Sequence, residues 1–584
     1  MKMPEIKLNK HHLFSLFVLF WIGLGMLGLF LTMLGIFYKA ILLTYLAIFG
    51  ILFLYLLIAN AKAIKFSWYF YTATVISLAT IFVFSYFTTP TIFSGRDQGS
   101  LSESAIRLTQ NHKLEFSSET SKEFFGIYGT GKALNFPGFN YVADGNLKTG
   151  FPLGYISWLA IFYSIFGLSG FIAANGLSFL IFILSFYLLA KIFLKSDSAL
   201  ILVLLTITTF VFSWFFKFTL SENLALALLW FFIYEFILFL KNTKRFFFLA
   251  ALISLGFLAF ARIEALAFFL MMIVTLFLKY KNWRNIYAAI GKKVLFFAGG
   301  IILIYLTSLF VNKEFYMVLA KAILKPFIET TGSLSGRNFS SIFYASHIFI
   351  VYSLFNFLLL GIIGIIYLYK QKKWEMLIPF FITTPAFVYL FLPNISLDSP
   401  WMLRRFLFAV IPVCIFYTVY FLDNISRKRI YFYALSLLLF IINLFIFVPY
   451  LNFSPNKNLL PQIETLSEKF SNSDLILVDR EATGDAWSML TGPMSFLYEK
   501  QAVYFFNPED LDKIDLTKFS QVYFIIPDKN ISFYENSGLC SRLEIKESYV
   551  IENNVLDVSN RFNLPEKKDI LTEGKIYLLK QYAF

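Results

Sequence analysis

Residues 13–37 read LFSLFVLFWIGLGMLGLFLTMLGIF, a run of 25 residues without one charged side chain. As a helix, a run of this length crosses the hydrocarbon core of a bilayer, which is about 30 Å thick. Further apolar runs of about 18–25 residues follow as far as Pro449. The first run is too long for a signal peptide, and no small-residue cleavage site follows it. The sequence therefore predicts a polytopic α-helical membrane protein.

The composition agrees with this class. Hydrophobic residues make up 58% of the 584 residues and charged residues 15%, with a mean hydropathy of +0.69, whereas soluble domains carry about 25% charged residues. The two cysteines, Cys414 and Cys540, favour neither a disulfide framework nor a zinc site. The net charge of +14 is spread over short loops rather than one basic face, which argues against nucleic-acid binding.

The chain divides near Ser454. Beyond that point the apolar runs shorten to strand length, and 14 basic residues stand against 20 acidic ones. Two of these runs, SDLILVD at 473–479 and QVYFIIP at 521–527, are separated by helical stretches, which is typical of a small α/β fold. We expect residues 1–454 to form a membrane domain and residues 455–584 a small soluble extracytoplasmic α/β domain.

Four residues of this tail have an open role. Asp479 stands at a predicted strand end, where a turn or a helix cap is a more ordinary role than a binding site. Glu481, Asp485 and Trp487 are candidates for binding an acceptor glycan, although nothing in their spacing requires it.

Basic residues mark the cytoplasmic ends of membrane spans. They form seven groups: Lys2, Lys7 and Lys10; Lys62 and Lys65; Lys191 and Lys195; Lys241, Lys244 and Arg245; Lys279, Lys281, Arg284, Lys292 and Lys293; Lys370, Lys372 and Lys373; and Arg427, Lys428 and Arg429. With all seven groups inside, the chain crosses the membrane about 13 times. The N-terminus is then cytoplasmic and the acidic tail extracytoplasmic, as in a multi-pass protein of the plasma membrane.

The predicted transmembrane helices are roughly 13–37, 40–59, 68–87, 170–193, 197–214, 219–240, 246–261, 263–280, 293–311, 345–369, 375–392, 402–422 and 430–449. Residues 152–166 are also apolar, but this segment is only about 15 residues long. Counting it as a crossing would invert every later loop, so we expect an amphipathic interfacial or re-entrant helix along the outer surface. The loops at about 88–150 and 312–344 are then extracytoplasmic.

Under this topology, the charged residues in and beside the spans gather at the outer face. They are Asp97, Glu103, Asp144, Lys148, Lys217, Glu222, Arg262, Glu264, Asp398, Arg404 and Arg405. Ions at the lipid boundary are costly unless they serve a site. A single arginine at a span end is most often a snorkelling anchor. The ordinary interpretation of Glu222 or Glu264 alone is an ion that pairs two helices. The convergence of all of them on one face favours a shared task.

These residue types suit a lipid phosphate whose sugar is transferred. The guanidinium groups of Arg404 and Arg405 match phosphate geometry and keep their charge when partly desolvated. A carboxylate such as Asp97, in the cluster SGRDQG at 94–99, can deprotonate an acceptor hydroxyl or hold a divalent ion, Mg or Mn, on the leaving phosphate. The sequence has no Gly-rich phosphate loop and no metal-spaced His cluster, so no resident cofactor is indicated with certainty.

Five segments carry a family resemblance. They are DQGSLSE at 97–103, KTGFPL at 148–153, WFFKFTLSE at 214–222, ARIEAL at 261–266 and WMLRRFLFAVIP at 401–412. In this order and topology they resemble motifs of the GT-C superfamily, the integral-membrane glycosyltransferases that use polyprenyl-phosphate sugars. The resemblance is nearest to protein mannosyltransferases and lipid A aminoarabinose transferases. In the first segment, Gln98 replaces the family's second acid and Leu101 its tyrosine.

The resemblance implies an inverting hexosyl or pentosyl transfer outside the cytoplasm, with Asp97 as the general base. It assigns catalysis to Asp97 and Glu103, the donor phosphate to Arg404, Arg405, Lys148 and Arg262, and substrate orientation to Glu222, Glu264 and Lys217. The implied partners are a polyprenyl-phosphate sugar donor, a glycan, lipid or protein acceptor, and membrane lipids.

Two other classes of protein remain open. A transporter or flippase of polyprenyl-linked glycans also carries ions within the membrane, but such proteins tend to have repeated halves around a midplane cavity. No internal repeat is evident in this sequence, and its ions crowd one face. The other class is a non-catalytic membrane scaffold whose tail binds partners.

Overall fold

The computed structural model describes residues 9–60, 66–328, 340–391, 398–557 and 562–580. Lys2, Lys7, Lys62 and Lys65, on which part of the predicted topology rests, lie outside these ranges. The orientation of the chain in the membrane therefore stays a prediction.

The membrane part is almost entirely helical. Its helices are α1 (Lys10–Leu34), α2 (Lys39–Asn60), α3 (Trp68–Tyr86), α4 (Asp97–Asn111), α5 (Glu119–Tyr128), α6 (Leu153–Phe166), α7 (Ser169–Phe193), α8 (Ser196–Ile207), α9 (Phe210–Phe216), α10 (Ser221–Asn242), α11 (Arg245–Ala261), α12 (Ala265–Tyr280), α13 (Trp283–Ile290), α14 (Lys292–Val311), α15 (Lys313–Ile328), α16 (Ser340–Val351), α17 (Leu354–Lys370), α18 (Ile378–Thr383), α19 (Arg404–Leu407), α20 (Val410–Ile425) and α21 (Arg429–Leu451).

Seven of the described helices are long and apolar enough to cross a membrane, namely α1, α2, α3, α7, α10, α14 and α21. Four helix pairs pass the same test jointly but are bent between their members: α8 and α9 by 58°, α12 and α13 by 104°, α16 and α17 by 108°, and α19 and α20 by 60°. The apolar segments Arg245–Ala261 and Trp374–Leu390 are shorter and coincide with two more predicted spans. The positions of the predicted spans thus match helices in the described chain, while the number of crossings stays a prediction.

Three of the predicted spans, 197–214, 345–369 and 402–422, each contain a break between two helices. The first break illustrates the cause. The hydroxyls of Thr208 and Thr209 donate to main-chain carbonyls one turn earlier, at 2.8 and 2.7 Å. Such back-bonding competes with the helical hydrogen bonds and bends helices.

Helix α6 differs from the amphipathic surface helix predicted at 152–166. Ten consecutive residues, Leu153 to Phe162, are buried, so the helix has no single apolar face. It packs against α1, α4, α7 and α11. Gly154 permits part of this packing, because a Cβ there would lie 2.7 Å from the main-chain carbon of Phe260. Whether α6 is re-entrant stays a prediction.

Helix α10 forms the centre of the membrane part. The apolar core of this helix is buried on every side, with α7 and α11 packed against it. The indole of Trp230 on α10 donates a hydrogen bond to the main-chain oxygen of Phe408, at 3.0 Å. This contact fixes α10 to the break between α19 and α20. The first turn of α10 and the nearby α19 are thereby held at the same end of the bundle.

The tail carries a mixed five-stranded sheet. Its elements are α22 (Leu459–Ser467), β4 (Leu475–Val478), α23 (Thr491–Phe496), β5 (Gln501–Tyr504), β6 (Val522–Pro527), α24 (Ile531–Asn536), β7 (Leu543–Asp557) and β8 (Glu566–Leu579), with the strand order β5-β4-β6-β8-β7. Strand β4 pairs in parallel with β5 and β6, and β8 is antiparallel to β6 and β7. The strands predicted at 473–479 and 521–527 are confirmed.

The first long loop folds against this tail. Besides α4 and α5 it contains a three-stranded sheet of β1 (Gly131–Lys132), β2 (Phe139–Tyr141) and β3 (Leu147–Thr149). Ser94 forms an antiparallel bridge with Met489. The Arg107 side chain donates to the Ser495 hydroxyl at 2.6 Å. These contacts place the start of α4 between the membrane helices and the tail.

Candidate active site

Asp97 is the first residue of α4, and its carboxylate forms an ion pair with Arg404, the first residue of α19. The distance from Arg404 Nη1 to Asp97 Oδ2 is 2.6 Å. Gly99 allows α4 to begin this close to the preceding loop, because a Cβ there would lie 1.6 Å from the Phe93 carbonyl oxygen. Asp97, Arg404 and Arg405 line one cavity, and their roles stay a prediction.

One more helix, α10, and the short connection between α11 and α12 add charges to the same group of side chains. Glu222, in the first turn of α10, lies 2.8 Å from Arg262 and 3.9 Å from Arg404. Arg262, which ends α11, also pairs with Glu264 at 2.6 Å. All three side chains of this inner network are at most 13% exposed. Buried charges persist only where they are paired, and here each carboxylate has a guanidinium partner.

Arg405 is the least compensated cation of the cluster. In the described part of the chain, no carboxylate lies within 4 Å of its guanidinium. Its carbon centre lies 5.9 Å from the ring of Tyr389, and the Tyr389 hydroxyl donates to Glu264 at 2.6 Å. Arg405 is therefore the guanidinium whose charge is available to an anionic ligand.

Two cavities meet at Asp97 and Arg405, which line both. The Tyr389 cavity, about 300 Å³, is lined by Asp97, Glu222, Arg262, Glu264, Tyr389 and Arg405 and by apolar side chains. The Arg96 cavity, about 180 Å³, is lined by Arg96, Asp97, Asp398, Arg404, Arg405 and Trp487, the last from the tail. Asp97 and Arg405 therefore stand where a ligand in one cavity would meet a ligand in the other.

Glu103 lies away from this cluster, contrary to its predicted catalytic role. Residues six apart on a helix point about 120° apart around its axis, so Glu103 turns from Asp97 toward the tail. It is buried beside Arg107 at 4.0 Å and accepts a hydrogen bond from Ser94 at 3.2 Å. A Cβ at Gly492 would lie 3.4 Å from its carboxylate. Burial raises the pKa of Glu103 to about 7.

Lys148 and Lys217 also lie outside the cluster. The amine of Lys148 lies 3.3 Å from Glu115 and 3.9 Å from Glu314. The amine of Lys217 donates to three main-chain carbonyls at 450, 451 and 453, at 2.5–3.0 Å. Three acceptors satisfy all three protons of an ammonium group, so Lys217 fastens the end of α21. Neither lysine lines either of the two cavities.

Three residues that line the two cavities had no role in the sequence analysis. Tyr389 was not singled out, because a tyrosine inside an apolar span carries no distinctive signal. Arg96 and Trp401 lay within quoted segments, yet nothing in the sequence showed that they stack. The Arg96 guanidinium lies 4.7 Å from the Trp401 ring and 4.6 Å from the Trp487 ring.

The described residues do not fit a metal centre of the usual kind. They contain no group of three or more His, Cys, Asp or Glu side chains that could hold a metal ion. The Asp97 oxygen that faces the cluster is paired with a guanidinium rather than with a second carboxylate. Among the described residues, none forms with Asp97 a set of ligands for the divalent ion that the sequence suggested.

No family model and no curated protein matches this sequence. Solved structures that are similar to it include two of ArnT. ArnT from Cupriavidus metallidurans in the apo state has a TM-score of 0.49 and 10% identity, covering 85% of this chain and 97% of that chain. ArnT from Cupriavidus metallidurans bound to undecaprenyl phosphate has a TM-score of 0.48 and 12% identity, with coverages of 86% and 97%.

At these TM-scores and identities, the similarity assigns neither a reaction nor a residue role to this chain.

The buried Glu103 makes stability depend on pH. Its pKa of about 7 in the folded protein lies above the ordinary value of 4.5. The folded state therefore holds an extra proton between these values, and the unfolding free energy falls as the pH rises through that window, by up to about 3 kcal/mol. The variant Glu103→Gln is expected to lack this decrease.

Thermal unfolding of the detergent-purified protein from pH 4 to pH 8 measures the difference between the wild type and Glu103→Gln. Glu509 is exposed, so Glu509→Gln should show the same pH profile as the wild type and serves as the control. Parallel profiles for the wild type and Glu103→Gln would contradict the assigned pKa.

Proposed function

We propose that the protein transfers a glycosyl group from a polyprenyl-phosphate-linked sugar to an acceptor at the extracytoplasmic face of the membrane. One observation carries the proposal: Asp97 and Arg405 line both cavities, and Arg404 holds Asp97 at 2.6 Å. A base and a phosphate-binding cation at one junction are what transfer between two bound substrates requires.

The Tyr389 cavity suits the donor. Arg405 offers a guanidinium to the phosphate, and guanidinium forks match phosphate oxygens in geometry and charge. Phe315 and Leu319 of α15, together with Phe151, supply apolar walls. A polyprenyl phosphate combines an anionic head with an apolar chain, so it meets both kinds of wall in one cavity.

Asp97 suits the general base. Its side chain is 43% exposed, and its Oδ1 accepts no hydrogen bond from the described residues. In the proposed reaction Asp97 takes the proton of an acceptor hydroxyl. The acceptor oxygen attacks the anomeric carbon of the donor, and the bond from that carbon to the phosphate oxygen breaks. The polyprenyl phosphate leaves with the bonding electrons, and the configuration at the anomeric carbon is inverted.

The arginines neutralise the leaving group. Arg405 meets the phosphate first, because no carboxylate of the described chain lies within 4 Å of its guanidinium. Arg404 lies between Asp97 and Glu222, so it holds the base in position and adds positive charge at the junction. Arg262 is enclosed by Glu222 and Glu264 and acts through the position of these carboxylates, which border the cavity where sugar hydroxyls would lie.

Substitution of the base tests the reaction class. We expect Asp97→Asn to reduce transfer from a labelled undecaprenyl-phosphate sugar by at least about 100-fold, since general-base catalysis contributes 10²–10⁴-fold. Label incorporated by membranes that contain the variant measures the rate. Asp512→Asn, an exposed carboxylate paired with Arg542 in the tail, is the matched control. Full turnover by Asp97→Asn would favour transport or scaffolding instead.

Removal of the Arg405 guanidinium tests the proposed phosphate site. Arg405→Gln is expected to weaken binding of undecaprenyl phosphate about 10- to 100-fold, because hydrogen bonds to charged groups contribute about 1.5–3 kcal/mol. Equilibrium binding to the detergent-purified protein measures the change. The exposed Arg284 on α13 provides the control variant Arg284→Gln, whose affinity should equal that of the wild type. Equal affinities for all three proteins would place the phosphate elsewhere.

A further inference from the structure

A third cavity joins the tail to the membrane helices. The Asn456 cavity, about 150 Å³, is lined by Gln98, Trp214, Trp401, Asn456, Asp485 and Trp487, among others. It shares five lining residues with the Arg96 cavity, which are Arg96, Gln98, Asp398, Trp401 and Trp487. Because the Arg96 cavity reaches Asp97, the two form one polar path from the tail to the proposed base.

Two buried polar atoms on this path have no partner in the described chain. They are the side-chain oxygen Oε1 of Gln98 and the indole Nε1 of Trp214. Trp214 is 1% exposed. A buried donor or acceptor without a partner costs about 1–3 kcal/mol. One is an acceptor and the other a donor, and both belong to residues that line the Asn456 cavity. A ligand with hydroxyl groups, which donate and accept, matches both kinds of group.

Other residues that line the Asn456 cavity also carry groups that bind hydroxyls. Asp485 accepts hydrogen bonds from the main-chain nitrogen of Trp487 and from the hydroxyl of Ser488, at 3.1 and 2.6 Å. The Ser488 hydroxyl also lies 3.0 Å from the side-chain oxygen of Asn456. Carboxylate, amide and hydroxyl groups thus converge from two tail segments, at 456 and at 485–488.

Arg96 holds the two halves of this path together. Its guanidinium lies between the rings of Trp401 and Trp487, 4.7 and 4.6 Å from their centres, and 3.5 Å from Asp398. Arg480 lies 4.8 Å from the same Trp487 ring. Cation–π contacts of this kind contribute about 0.5–2 kcal/mol each. The walls are therefore fixed before a ligand enters.

We infer that this path is the acceptor site and that the acceptor is a glycan, whose terminal sugar lies in the Asn456 and Arg96 cavities with one hydroxyl directed at Asp97. The inference rests on the proposed transferase function. Asp485, Asn456 and Trp214 are the specificity-determining residues, since they face the sugar away from the reacting hydroxyl.

The residues that line this path favour a glycan over the other acceptor classes. Phe218, Val555 and Leu556 also line the Asn456 cavity, but Arg96, Asp398 and Asp485 interrupt this apolar surface. It therefore offers no extended apolar wall of the kind that a lipid chain needs. A peptide in a strand-addition mode needs a row of main-chain groups on a sheet edge. The groups here instead converge on one compact space, as recognition of a single sugar ring requires.

The experiment supplies the full-length protein in detergent with radiolabelled undecaprenyl-phosphate hexose or pentose and with separated glycan, protein and lipid fractions of the cell envelope. We expect the label in the glycan fraction. Trp214→Phe and Asp485→Asn are expected to raise the KM for that fraction about tenfold, the effect of one lost hydrogen bond of about 1.4 kcal/mol, with an unchanged KM for the donor.

The controls use a tryptophan and a carboxylate away from the path. Trp283 is 67% exposed, and Asp512 pairs with Arg542 at 2.7 Å on the surface of the tail, so Trp283→Phe and Asp512→Asn should leave both KM values unchanged. An unchanged donor KM also shows that a variant is folded. Asn456→Ala, with the same expected effect, replaces a variant that fails this criterion.

Other outcomes have distinct meanings. Label in the protein or lipid fraction, or a glycan KM that none of the three path variants alters, would overturn the acceptor assignment and leave the transferase function in place. Transfer to no fraction by the wild type would overturn the transferase function itself.

Discussion

A charge at the edge of a lipid bilayer has to be paired, and this requirement organises the molecule. Asp97 at the start of α4 and Arg404 at the start of α19 meet at 2.6 Å, although most of the membrane part separates them in sequence. Glu222 and Arg262 extend the pairing to the ends of α10 and α11. Since each of these ions would be costly alone, the helices that carry them are held at one end of the bundle, where the two cavities open.

The two faces of α4 have different tasks. One carries Asp97 to the arginine cluster, and the other carries Glu103 and Arg107 to the tail. The Arg96 stack with Trp401 and Trp487 joins the same regions one residue before Asp97. The tail is therefore part of the site, because it forms one wall of the path that ends at the proposed base. A movement of the tail would move Asp97 with it.

Apolar run length was enough to place most of the apolar helices, and residues that the sequence had singled out, Asp97, Arg404 and Arg405, meet at one cavity. Their roles stay a prediction. The bends at α8–α9 and α19–α20 were not predictable from hydropathy, since local hydroxyl bonding and packing decide them. Glu103 and Lys148 were misplaced for a related reason: each has the right chemistry, but helix phase and sheet register turn them toward other partners. The unpartnered atoms of Gln98 and Trp214 are visible only in three dimensions.

The central claim is that the junction at Asp97 and Arg405 receives the donor phosphate. A cryo-electron microscopy structure of the full chain with bound undecaprenyl phosphate tests it most directly. We expect a phosphate oxygen within about 3 Å of the Arg405 guanidinium, with the prenyl chain along Phe315 and Leu319. Density for the phosphate beside Lys148, or at the opposite end of the helix bundle, would contradict the claim.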